Sequence, residues 1–354
     1  MSAAAALGRE LPVGVRRGIW KERAMKDQFG REIDYIRISV TDRCNLRCRY
    51  CMPPEGVPLV SHEEILRFDE IERLVKIFCA KGIKHVKITG GEPLVRRDVS
   101  VLVRRLKQLS GLETVSLTTN GTLLTAHLAA LAEAGLDAVN ISMDTPFAER
   151  YHAITGGRVE DVFRALNACE AYPQIRVKLN CVLLADISPK DIVALADIAR
   201  SRHVDVRYIE MMPIGLGGTF EGMKQETVLE LLQSVYGPAE PCGEKRGQGP
   251  AVYWNFAGFC GGVGVISPIS HMFCSRCNRI RLTAEGFLKP CLQYADGADL
   301  RLLLRRGAKD TEIAACVEKV IYAKPREHCF TEAAQERERA DCRKETALMS
   351  RIGG

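Results

Sequence analysis

Tyr35-Ile-Arg-Ile-Ser-Val40 runs straight into Thr41-Asp-Arg-Cys44-Asn-Leu-Arg-Cys48-Arg-Tyr50-Cys51-Met-Pro53. The first six residues form a short β-branched run and read as a strand. The next stretch carries Cys44, Cys48 and Cys51 at the spacing C-x3-C-x2-C. This places three thiolates in one tight loop at the end of the strand. In a parallel barrel that end is the face that keeps the chemistry.

The chain downstream supports parallel pairing. Residues 85–89, 114–119, 138–143, 176–184 and 204–210 are further strand-like runs. Between them lie stretches with apolar residues three and four apart: from Ser61 through Ile71, Leu74, Val75 and Phe78, then Val99 to Leu106, then Leu123 to Ala134, with Gly135 placed to end the last. Strands alternating with helices imply crossover connections and an α/β fold. Six strands fall short of the eight that close a barrel, so the expectation is an incomplete (β/α)6 partial TIM barrel. The alternation stops near Met212. Residues 237–300 are rich in Gly, Pro and Cys, with short apolar runs at 252–256 and 263–266, and helices are expected near 227–235 and 311–322. The reading divides the chain into a basic, mobile arm (1–33), the barrel (34–224), a smaller α+β domain closing the barrel (225–340) and a tail (341–354) ending in Gly353 and Gly354.

Composition narrows the class. The chain has 354 residues and 14 cysteines, a share too low for a disulfide scaffold and a length that buries a full core without staples. No signal peptide and no run of about 18 apolar residues is visible. A reducing, cytoplasmic setting is expected, where spaced cysteines bind metal or do chemistry. Of the net charge of +6, residues 1–31 carry +4. No basic stripe interleaved with aromatics follows, so neither nucleic acid nor membrane is an expected partner.

A second cysteine group lies in Phe273-Cys-Ser-Arg-Cys-Asn-Arg-Ile-Arg-Leu-Thr283 followed by Cys291, at C-x2-C-x13-C. Both groups offer three ligands, one short of a closed structural zinc site. Zinc remains an alternative for each, with His271 the candidate fourth ligand of the second. A cubane held by three cysteines leaves one iron open.

C-x3-C-x2-C after a first strand, with Tyr50 before the last cysteine, resembles the radical S-adenosylmethionine superfamily. The wider set RISVTDRCNLRCRYCMP, ITGGEPLVRRD, TTNG, VRYIEMMPIG, FCSRCNRIRLTAEGFLKPC and the terminal IGG resembles the GTP 3',8-cyclase family, which performs the first step of molybdenum cofactor biosynthesis. The resemblance implies two [4Fe–4S] clusters, on Cys44, Cys48 and Cys51 and on Cys274, Cys277 and Cys291, with S-adenosylmethionine on the first and the guanine of GTP on the second. It implies a radical that takes the hydrogen from C3′ of the ribose, after which that carbon attacks C8. Tyr50, Gly90, Gly91, Glu92, Thr118, Ser142, Lys178 and Met212 would line the S-adenosylmethionine site, with Glu92 on the amino group and Lys178 on the carboxylate. Arg37, Lys87, Thr89, Arg207, Arg279 and Arg281 would bind substrate; Arg37 and the inserted Gly353 and Gly354 would serve the radical step. It also implies flavodoxin or ferredoxin as electron donor, cyclic pyranopterin monophosphate synthase as recipient of the product, and a monomer or homodimer. His85 and Lys87 depart from the family's more usual lysine and arginine; a lysine lacks the bidentate fork. Two other readings are a peptide-modifying radical enzyme whose second cluster relays electrons, and a protein that uses the cysteines structurally and catalyses nothing.

Overall fold

In the computed structural model, residues 25–244, 246–330 and 344–353 are described. Two short strands, β1 (Met25–Lys26) and β2 (Glu32–Ile33), form a hairpin ahead of the main sheet. The six expected strands follow as β3 (Tyr35–Ser39), β4 (His85–Thr89), β5 (Thr114–Thr119), β6 (Ala138–Ser142), β7 (Arg176–Leu183) and β8 (Asp205–Glu210). All pair in parallel in that order. Helices α1 (Phe68–Cys79), α2 (Val99–Lys107), α3 (Leu124–Glu133), α4 (Ala148–Thr155), α5 (Val159–Cys169) and α6 (Pro189–Ser201) connect them. Helix α1 buries Ile71, Leu74, Val75 and Phe78, spaced three and four apart. It begins at Phe68 rather than near Ser61, because the Glu70 carboxylate accepts from the Arg67 backbone and caps the helix there.

The remaining elements are α7 (Gln225–Tyr236), β9 (Ala239–Pro241), β10 (Val252–Phe256), β11 (Val263–Ile266), β12 (Arg279–Leu282), β13 (Phe287–Lys289), β14 (Ala298–Asp299), α8 (Leu300–Arg305) and α9 (Asp310–Tyr322). They do not build a sheet of their own. β11 adds in parallel to β8, and β12 adds in parallel to β3, so the second part of the chain extends both edges of one twelve-stranded sheet. The barrel is open, as expected, and the two cysteine-bearing segments are neighbours because β12 lies beside β3. The core runs continuously through both parts.

The expectation of a mobile arm to residue 33 is corrected. Met25–Ile33 are folded: Asp27 and Arg31 are buried as an ion pair, and the Gln28 amide donates to the Tyr322 carbonyl at the end of α9. Residues 1–24 of that arm lie outside the described residues, as do Gly354 and residues 341–343 of the tail.

Candidate active site

Parallel register decides which side chains share a face. Arg281 on β12, Arg37 on β3, Lys87 on β4 and Ser116 on β5 are register partners in one row. Alternation and register place Arg279, Thr89, Thr118, Ser142, Lys178 and Arg207 on the same face. Every strand residue expected at the site is therefore on one side of the sheet. Lys87, Lys178, Arg207 and Arg281 are buried there, and Arg37 is half-buried. Burial first, and then the neighbouring Arg207, Arg37 and Lys178, push Lys87 well below the usual lysine range. Burial and the nearby cations lower Arg37 to about 10, and Arg281 shifts in the same direction. Such crowding of like charge is a feature of sites that bind anions.

The C-terminal tail enters this face. Gly353 adopts φ +74° and its carbonyl accepts from Arg281 Nη1 at 2.5 Å. A methyl group at Gly353 would lie 3.1 Å from Ser39 Cβ and 3.2 Å from Thr89 Cγ2, at the ends of β3 and β4. Ser350 and Ile352 are buried, and Arg351 donates to the Pro58 carbonyl. The tail is fastened further back by the pairing of buried Lys289 with half-buried Glu345.

The first cysteine loop is pinned on several sides. Arg47 and Arg49 amides donate to the Thr155 and Ile154 carbonyls at the end of α4. Tyr50 donates to Asp144 at 2.8 Å, and burial lifts that carboxyl to about 6. Burial and the neighbouring Asp144 and Cys44 push Cys48 up, and burial with Cys44 lifts Cys51 to about 12. Three half-buried thiols that resist ionisation together suit a cationic core that draws off their protons. A closed structural zinc site takes four ligands, whereas three thiolates hold a cubane and leave one iron open, so the donor count of each group fits a cluster better than zinc.

Gly90 and Gly91 pack tightly against the cysteine loop. A methyl group would meet the Thr41 carbonyl at 2.7 Å and the Arg43 carbonyl at 2.4 Å, so these glycines let their loop close on the cysteine loop. Amides of Gly91 and Glu92 donate to those carbonyls at 2.8 Å. The Glu92 carboxylate accepts from Leu94 N, Thr119 Oγ1 and Asn120 N at 3.0, 2.7 and 2.7 Å. It ties GGEP to TTNG. Lys178 pairs with Asp205 at 3.1 Å, Tyr253 at 3.0 Å and the Arg246 carbonyl. Thr118, Ser142 and Met212 remain half-buried near the strand ends.

In the second group, burial alone would raise Cys277. Lys324, Arg279 and Arg31 outweigh it and bring the thiol to about 6. Cys274 senses both Cys291 and Cys277. His271 is not a fourth ligand: its Nε2 lies 2.6 Å from exposed Glu226. His85 is buried, and its Nδ1 lies 2.9 Å from Thr114 Oγ1 at the far end of β4 from the cysteine loops.

The chain matches a model of the radical SAM superfamily over residues 38–199 and one of the molybdenum cofactor synthesis C domain over 204–330. It is 46% identical to a GTP 3',8-cyclase of Heliobacterium modesticaldum, over 93% of this chain and 100% of that one. It is also 46% identical to one of Moorella thermoacetica, over 86% and 95%. The chain belongs to the GTP 3',8-cyclase family. Among solved structures, Streptococcus suis SuiB bound to S-adenosylmethionine shares the fold, with a TM-score of 0.55, at 14% identity, across 83% of this chain and 64% of that one. The two family models meet between residues 199 and 204, so β8 falls in the second.

Within this cyclase fold the sequence reading missed several residues. Asn120, Asp144, Asp205, Tyr253, Arg31, Lys324, Lys289 and Glu345 all hold site residues in place. Asn120 stood inside a quoted motif, TTNG, and Lys289 inside FCSRCNRIRLTAEGFLKPC. The others carry no spacing signal, because their partners are distant in sequence.

Proposed function

We propose that this protein is a radical S-adenosylmethionine GTP 3',8-cyclase. It converts GTP to (8S)-3',8-cyclo-7,8-dihydroguanosine 5'-triphosphate, the first step of molybdenum cofactor biosynthesis. The observation that carries this reading is the row of buried Arg281, half-buried Arg37 and buried Lys87 beside two three-cysteine loops. Crowded cations lower one another's charge affinity, and a polyanion relieves that. A triphosphate is such a ligand, and arginine's fork suits it.

Cys44, Cys48 and Cys51 hold one [4Fe–4S] cluster, and Cys274, Cys277 and Cys291 hold the other. When bound, the first cluster and S-adenosylmethionine supply a carbon-centred radical able to take the hydrogen from C3′ of the ribose. The chain does the positioning. Arg37, Lys87, Arg207, Arg279 and Arg281 hold the triphosphate, with Thr89 beside them. Tyr50, Thr118, Ser142 and Met212 border the S-adenosylmethionine side, and Glu92, Gly90 and Gly91 shape the loop next to it. Gly353, bonded to Arg281, brings the tail to the site, and the terminal pair Gly353 and Gly354 serves the radical step.

The enzyme works in the cytoplasm as a monomer or homodimer. Flavodoxin or ferredoxin supplies the electron, and cyclic pyranopterin monophosphate synthase takes the product. Anaerobic reconstitution should give roughly eight irons per chain. Turnover with GTP, S-adenosylmethionine and reductant should give 5′-deoxyadenosine together with a cyclised nucleotide. Half that iron with one zinc, or GTP left unchanged, contradicts the reading.

A further inference from the structure

The second cysteine group rests on two buried cations that the reaction itself does not use. Lys324, 2% exposed, follows α9. Its Nζ donates to the Arg279 carbonyl at 2.8 Å and the Pro290 carbonyl at 2.5 Å. Arg279 is two residues past Cys277, and Pro290 immediately precedes Cys291. Arg31 comes from the β1–β2 hairpin. Its Nη1 donates to the Cys274 carbonyl at 2.7 Å and the Arg326 carbonyl at 2.8 Å, and its Nη2 to the Pro325 carbonyl at 2.6 Å. The backbone at or beside each of the three cysteines therefore ends on one of two cations. Arg31 also fixes the segment that carries Lys324.

The two cations differ in their counter-charge. Arg31 is paired with Asp27. Lys324 has carbonyls as its hydrogen-bond partners. Burying an ammonium group costs several kcal/mol, and neutral carbonyls return only part of that. A cubane held by three thiolates would carry net negative charge, which grows on reduction, and Lys324 is the cation fixed to the backbone beside Cys277 and Cys291.

We propose that Lys324 is a positioning residue for the second cluster: braced by Arg31, it gathers the three cysteine-bearing segments and holds the cluster's reduction potential up. This rests on the reading that Cys274, Cys277 and Cys291 hold an iron–sulfur cluster. A positive charge close by favours the reduced form. Its removal should drive the potential negative, while its loss as a clamp should loosen the cluster.

The test uses the full chain with Cys44, Cys48 and Cys51 all changed to Ser, so that only the second cluster remains. Iron and sulfide are counted after anaerobic reconstitution, the midpoint is taken by a redox titration followed by electron paramagnetic resonance, and iron loss to a chelator is timed. Lys324→Gln keeps a donor but removes the charge; it should shift the midpoint to more negative potential and release iron roughly 10-fold faster or more. Lys324→Arg should restore the midpoint. An unchanged midpoint in Lys324→Gln, or one in Lys324→Arg displaced as far as in Lys324→Gln, overturns the proposal. Should Lys324→Gln not fold, Arg31→Lys takes its place: faster iron release with an unmoved midpoint supports the brace, and wild-type release overturns it. If the triple-serine chain binds no iron at all, the cluster reading itself fails and the proposal falls with it.

Discussion

Replacing Lys87 with Met should make the nucleotide-free protein more stable and the substrate weaker at the same time. Lys87 lies in register with Arg37, and Arg281 is the next partner in the row. Neighbouring strands are about 4.8 Å apart. Cations on adjacent strands that splay slightly stand roughly 5–8 Å apart, and at an effective dielectric of about 20 each pair repels by about 2–3 kcal/mol. Burial first, and then this repulsion, disfavour the charged form of Lys87 and hold it well below the ordinary lysine range. Methionine fills similar volume without charge, so the nucleotide-free midpoint of thermal unfolding should rise. One charge-assisted contact to phosphate is worth about 2–3 kcal/mol, so GTP should bind about 30- to 150-fold more weakly. The assay pairs thermal unfolding, with and without GTP, with GTP titration. Lys84→Met is the control: that lysine is an exposed neighbour paired with Glu113 at 3.1 Å, and it should do neither. A Lys87→Met protein that is less stable than wild type, with GTP affinity within about twofold, would refute the electrostatic argument.

Further outcomes follow from the loops. Burial raises Glu92 to about 7, against hydrogen bonds that oppose the shift. The folded protein thus keeps a proton that the unfolded chain has released, so this group's contribution is complete below about pH 4.5 and is lost as pH rises through about 7. Urea unfolding of the cluster-free protein from pH 4.5 to 7 should show that decline, and Glu92→Gln should flatten it while lowering stability by about 1–2 kcal/mol. In Gly91→Ala a methyl group collides with the Arg43 carbonyl; iron analysis should find the first cluster lost and the second retained. Glu345→Gln leaves Lys289 buried without its carboxylate partner; the ratio of 5′-deoxyadenosine to cyclised nucleotide should rise as the tail loosens, and an unchanged ratio would show that the tail is held without this pair.

The strands were legible because each is a β-branched run with few alternatives, and the helices between them repeat at three and four. Arg37, Lys87 and Arg207 were picked out by the family resemblance, and Arg279 and Arg281 also by their spacing of two, which puts both on one face of a strand. Two things were harder to read. The glycines and glutamate of GGEP carry the right motif, but the sequence does not say which stretch of backbone the glycines pack against; it is that of Thr41 and Arg43. Arg31 and Lys324 had no signal at all. Arg31 reaches a carbonyl 243 residues away, and a carbonyl is the same in every residue type. The way the second part of the chain joins the barrel was also out of reach: strand pairing at the two edges depends on β11 and β12 meeting β8 and β3, which periodicity does not encode.

The most direct test of the central claim is where the hydrogen goes. Reconstituted protein is given S-adenosylmethionine, reductant and GTP deuterated at C3′ of the ribose, and the products are read by mass spectrometry. The account predicts one deuterium in the 5′-deoxyadenosine and a cyclised triphosphate formed alongside it. Cleavage of S-adenosylmethionine that leaves the deuterium in unchanged GTP would contradict it.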